Sequence, residues 1–190
     1  MIKINRPAVI SFTLALIFFM ICLQGCVMLG DDDSDDEQNY FINFEPDSAD
    51  IPPNSFYISL ANAVDDVFTI SVSVKEIEDL YGTAFTLTWD PTLMLYLDSS
   101  EGGFLRNSGM QTSFIASLEQ NYPGRLVVGY TILGQSQGVT GSGLVCNVTF
   151  KALRQGESSL RFINPSGIDS SGDTIVSVNW LGGILKILLL

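Results

Sequence analysis

The chain has 190 residues, with 9 lysines and arginines against 21 aspartates and glutamates, and it contains no histidine. Such a surplus of acid excludes a nucleic-acid binder, because neutralising phosphates takes clustered basic side chains. The missing histidine excludes Ser-His-Asp and Cys-His catalysis and the usual zinc clusters, so neither enzyme chemistry nor a metal or other cofactor is expected. At the start, Lys3 and Arg6 precede an apolar run over residues 8–23 that ends in Leu23, Gln24, Gly25 and Cys26. A charged start, an apolar core and a small residue before the cut read as a secretory signal over residues 1–25. The run is short for a membrane-spanning helix of about 20 residues. An uncleaved anchor helix is the alternative, and both readings place the domain outside the cytoplasm on a membrane.

Next comes an acidic block, Asp31, Asp32, Asp33, Ser34, Asp35, Asp36 and Glu37. It lacks the glycine turn and spaced ligands of a calcium loop. Like charges in a row repel and keep a chain extended, so residues 26–46 read as a tether. Within them Phe41, Ile42 and Phe44 form a short lead-in strand that prolines then interrupt.

From residue 47 the pattern is that of strands. Residues 67–75 put Phe68, Ile70, Val72 and Val74 on one side and Thr69, Ser71, Ser73 and Lys75 on the other. Residues 83–89 put Thr83, Phe85, Leu87 and Trp89 inward and Ala84, Thr86 and Thr88 outward, until Asp90 and Pro91 stop the strand. Residues 144–153 put Leu144, Cys146, Val148, Phe150 and Ala152 inward. Further strands are predicted at 56–61, 93–97, 112–118, 125–133, 158–163, 174–180 and 184–189. Residues 121–124 form a hairpin turn, residues 134–143 a glycine-rich loop, and residues 76–81 a polar-apolar crossing. A short helical turn fits near residues 91–94 or 76–81. About nine strands at a spacing of roughly 8–12 residues, each with one apolar face, need a second layer to cover that face. The fold class is therefore all-β, a two-sheet sandwich over residues 47–190. Cys146 stands alone in the domain on an inward face, so it reads as a buried structural thiol.

Two stretches resemble known patterns. Leu23-Gln24-Gly25-Cys26 resembles the bacterial lipobox, which implies lipidation of Cys26 and a membrane-anchored lipoprotein. Val27 rather than Asp after the cysteine fits the outer membrane of a Gram-negative host. The strand 67–74, the aromatic-Asp-Pro ending Trp89-Asp90-Pro91 with Leu93 and Leu95 after it, Gly143 and Leu144 leading into residues 148–152, and the terminal Gly182-Gly183-Ile184 come in the serial order of the cohesin domain. The chain resembles that family over residues 47–190. The resemblance implies a jelly-roll β-sandwich that docks a dockerin-type partner protein at the cell surface, in the setting of polysaccharide degradation. Cellulosomal cohesins place Asn and Asp where this chain has Gly82 and Ala84, so a carboxylate contact is missing. The chain resembles the cohesin-like domains that stand alone on lipoproteins.

The outward small residues Thr69, Ser71, Ser73, Gly82, Ala84, Thr86 and Thr88 are the expected partner-binding face. An ordinary solvated sheet face has the same composition. Carbohydrate binding is the alternative function; it needs exposed aromatics in a row, and Trp180, Tyr122 and Tyr130 are the candidates. Asp90 is the tempting catalytic carboxylate, but an Asp before Pro at a strand end is a turn residue.

Overall fold

The computed structural model describes residues 39–107 and 109–190. Residues 1–38, with the expected signal, Cys26 and the acidic block, lie outside them. The described residues form eleven strands in two sheets and one short helix. The six-stranded sheet runs β1(Tyr40–Pro46), β11(Gly183–Leu189), β9(Gly156–Ile168), β4(Gly82–Thr88), β7(Arg125–Ile132), β6(Thr112–Leu118). The five-stranded sheet runs β10(Asn179–Leu181), β2(Ser55–Val64), β3(Val67–Leu80), β8(Val139–Ala152), β5(Met94–Glu101), and α1(Gly103–Arg106) follows β5 in sequence.

Alternation of side chains puts one face of each sheet into a shared core. On β3, Phe68, Ile70, Val72 and Val74 are fully buried. On β4, Thr83, Phe85 and Leu87 are buried, and Trp89 follows them just past the strand end. Aromatic rings fill the space between the sheets. Trp180 stacks on Phe56 at 4.1 Å, and Phe85 meets Phe162 edge-on at 5.2 Å. Trp89 meets Phe150 at 5.1 Å and donates its Nε1–H to the Met94 carbonyl at 3.2 Å.

Several expectations need correction. The lead-in strand is part of the fold: β1 pairs with β11 from Tyr40 to Pro46 and forms a sheet edge, so the sandwich starts before residue 47. Residues 76–80 of the crossing are the end of β3, not a helical turn. Glu76 and Asp79 adopt φ of 49° there, and their N–H groups turn to Ser142 Oγ and Thr140 Oγ1. These bulges let β3 keep pairing with β8, which begins inside the expected glycine-rich loop. A further register shift, between Val72 and Ser73, turns Val145 inward and sets Leu144 opposite Ser73, so Leu144 leaves the core side. The expected strand at 174–180 shrinks to β10, preceded by an isolated bridge between Ile168 and Thr174. The turn near residues 91–94 forms as expected, with Leu93 and Met94 N–H groups donating to the Asp90 carbonyl.

Candidate functional site

The expected face divides between the two sheets. Thr69, Ser71 and Ser73 lie on β3 and look out from the five-stranded sheet. Gly82, Ala84, Thr86 and Thr88 lie on β4 and look out from the six-stranded sheet. The two faces are back to back, so no single flat contact covers both sets. The reason lies in the chain path: β3 runs straight on to β4, and the turn at Tyr81 carries the chain from one sheet to the other.

On the β3 side the hydroxyls are engaged across the strands. Thr69 Oγ1 and Thr149 Oγ1 are 3.0 Å apart, and Ser71 Oγ donates to Asn147 Oδ1 at 2.7 Å. Cross-strand pairs of this kind stabilise a sheet. They leave less hydrogen-bonding capacity for a partner.

The β4 side has a different shape. Ala84 stands opposite Gly129 on β7 and Ser166 on β9, and Gly82 stands opposite Thr131 and Ile168. Ile115 on β6 stands opposite Gly129. Small residues on the floor and isoleucines at the sides leave a trough of about 330 Å³ across four strands. No charged side chain lines it. Ile115 is 64% exposed and Val127, in the next row, 41%. Thr86 is only 7% exposed, because Val127 and Ile163 flank it in register. Thr88 sits between Arg125 and Arg161, whose guanidinium groups pair with Glu119 at 3.6 Å and Asp47 at 3.0 Å. The face is thus apolar and small at one end and ion-paired at the other. Of the residues lining this trough, sequence reasoning names Gly82 and Ala84 and does not name Gly129, Ile115 and Ile168. Those residues become neighbours only through the strand order, and the alternation of β6 was the available signal.

The other candidates take structural roles. Asp90 Oδ1 accepts from both the N–H and the Oγ1–H of Thr92, which lowers its pKa; it is a turn residue, as expected. Burial pushes the Cys146 thiol up to about 12. Trp180 is half-buried with its ring stacked on Phe56 and packed against Phe85 and Phe162, and Tyr130 is 1% exposed, so two of the three aromatics proposed for stacking on sugar are engaged in packing. Tyr122 is 56% exposed, and the Arg125 guanidinium lies 4.6 Å from its ring centre. Among the described residues no group of three or more acidic or cysteine side chains is placed to hold a metal ion.

The domain is thus an all-β sandwich with an apolar trough on one outer face. The cohesin domain family model matches residues 59–180, and the chain belongs to that family. No curated protein matches the sequence. Among solved structures, a type II cohesin domain from the cellulosome of Acetivibrio cellulolyticus superposes with a TM-score of 0.59 at 21% identity, covering 72% of this chain and 95% of that one. A cohesin in a type II cohesin–X–dockerin complex from the same organism gives 0.52 at 16% identity, covering 74% and 93%. A non-cellulosomal cohesin from the archaeon Archaeoglobus fulgidus gives 0.51 at 15% identity, covering 62% and 78%.

Proposed function

We propose that this domain is a non-catalytic receptor that docks a dockerin-type partner protein in the trough between Ile115 and Ile168. The reading extends to a lipid anchor on Cys26 that holds the receptor outside the cytoplasm on a membrane, in the service of polysaccharide degradation. The uncharged floor at Gly82, Ala84 and Gly129 carries the reading. A solvated sheet face has no need of exposed isoleucine beside glycine, whereas an interface core is apolar and poor in charge. Membership of the cohesin family and the presence of a similar fold in a dockerin complex support it. With no carboxylate in the trough, affinity depends weakly on salt.

Gly129→Arg tests it. A Cβ on Gly129 meets no heavy atom within 4 Å, so the side chain enters the trough without disturbing the sheet. Thr86→Arg is a poorer probe because Thr86 is nearly covered. Full-length protein in detergent is offered a panel of immobilised dockerin modules, with circular dichroism as the folding control. The expected result is capture by wild type and loss of capture by folded Gly129→Arg. Retained capture by that variant removes this face. Capture of insoluble polysaccharide in place of any dockerin replaces the reading with carbohydrate binding.

A further inference from the structure

Four strands form the sheet edges, and three of them are blunted. β10 is three residues long. β5 carries Asp98 and Glu101 and breaks register between Tyr96 and Asp98. β1 carries Glu45 and ends at Pro46. β6 has none of these features. Its seven residues, Thr112–Leu118, pair with β7 without a break and include no charge, proline or glycine. A flat neutral edge is a template for another strand, and folded proteins usually protect it.

The orientation of its backbone follows from two hydrogen bonds. Leu133 N–H donates to the Gln111 carbonyl at 2.8 Å, and Glu119 N–H donates to the Arg125 carbonyl at 3.1 Å. Hydrogen-bonded pairs alternate along an antiparallel ladder, so the odd-numbered residues of β6 bond to β7. Thr112, Phe114, Ala116 and Leu118 turn their N–H and C=O groups to the open edge. Among the described residues no strand meets them.

We infer that β6 is a self-pairing edge: two copies of this chain join β6 to β6 in antiparallel fashion about a twofold axis at Ile115. The sequence around that residue is nearly palindromic, Ser113-Phe114-Ile115-Ala116-Ser117. In this register Phe114 faces Ala116 of the second copy, large against small, and Ser113 faces Ser117. Thr112 faces Leu118, and Ile115 faces its own counterpart. All four outward N–H groups of each copy find a carbonyl. An axis at Phe114 instead sets the two bulky rings against each other and leaves Leu118 without a pair. No like charges meet across the seam, whereas every other edge strand except the three-residue β10 brings a carboxylate. Pairing uses the edge of the sheet and docking uses its face, so this inference stands apart from the proposed function. It sets the two troughs side by side, since Ser113 and Ile115 line each.

Residues opposite each other at a non-hydrogen-bonded antiparallel pair have Cα atoms about 4.5 Å apart, within the range a disulfide spans. Full-length Ile115→Cys in detergent, oxidised by air, is therefore expected to give a dimer on a non-reducing gel that reduction dissolves. Wild type, with Cys146 and whatever cysteines processing leaves near the N-terminus, sets the background. Val127→Cys, one strand further in, is expected to match that background. Ala116→Pro combined with Ile115→Cys is expected to lose the dimer, because the lost N–H faces the open edge and the ladder to β7 is kept. Circular dichroism checks that it folds, and Ser117→Lys replaces it if it does not. A dimer from Ile115→Cys no stronger than wild type overturns the inference. So does a dimer that persists in a folded blocked variant.

Discussion

Replacing Trp89 by alanine tests the strand register on which the proposed docking face depends. Trp89 is 8% exposed, packs against Phe150 at 5.1 Å and Tyr96 at 6.5 Å, and donates to the Met94 carbonyl at 3.2 Å. Truncating a buried aromatic to alanine costs about 3–5 kcal/mol through lost burial and the cavity left behind. The unpaired Met94 carbonyl adds about 1 kcal/mol. Set against a domain stability on the order of 5–15 kcal/mol, this is a large share. Trp89→Phe keeps a ring and loses the hydrogen bond, at about 1–2 kcal/mol. Thr88 stands next to it and looks out from the sheet; its hydroxyl reaches the Arg161 carbonyl at 3.3 Å. Thr88→Ala forfeits that weak bond, about 0.5–1 kcal/mol. Thr86 is covered but makes no side-chain hydrogen bond to its neighbours in the sheet, so Thr86→Ala costs about 1 kcal/mol for its methyl group. Urea unfolding followed by far-ultraviolet circular dichroism gives the four values. Equal losses for Trp89→Ala and Thr88→Ala refute the inward and outward assignment of β4.

Other outcomes are expected. Burial holds both Cys146 and Tyr130 at about 12, against 9.0 and 10.0 for the free groups. The unfolded chain therefore releases these protons first, and stability falls as pH rises through about 9 to 12; Cys146→Ala with Tyr130→Phe flattens that alkaline limb in thermal melts. Asp79 is held below its ordinary value chiefly by the hydroxyl of Ser170, and it also accepts from Gly138 N–H. This contribution is present above the free value of 3.8 and is lost as pH falls through the lowered one, and Asp79→Asn speeds amide exchange at Gly138 and Ser170. Gly124→Ala destabilises by more than about 1 kcal/mol in the same urea assay, because φ is +80° and a Cβ lies 2.4 Å from the Trp89 carbonyl. Cys26→Ser leaves a precursor that takes up no labelled acyl chain; equal labelling of mutant and wild type removes the anchor.

The alternation of β3 and β4 was readable because each has one side for the core and one for solvent. Phe68, Ile70, Val72 and Val74 were placed by period alone. Glu76 and Asp79 misled because their positive φ values insert bulges that no propensity signals. Leu144 misled because it lies one residue from a register shift. Trp180 stands at the end of the expected strand over 174–180 as a candidate exposed aromatic, but only Asn179–Leu181 form a strand, too few residues for a period to show. The trough of the proposed docking face was half legible. Gly82 and Ala84 were found from their own strand, but the assignment of β3 and β4 to different sheets is a property of topology, not of either segment.

The position of β1 also has a mechanical consequence. Tyr40 lies opposite Leu189 at one end of the six-stranded sheet, while Gly82, Thr131 and Ile168 lie together at the other end. A chain held from its N-terminal side and pulled by cargo seated among those residues carries the load parallel to the strands. The inter-strand bonds lie across that direction, so the seven paired positions from Tyr40 to Pro46 are sheared together rather than peeled one after another. A pull on the opposite end of β1, at Pro46, opens the same ladder as a zipper, at far lower force. With the anchor proposed at Cys26 and a partner docked as proposed in the trough, the edge strand is a strong fastening for a towed load.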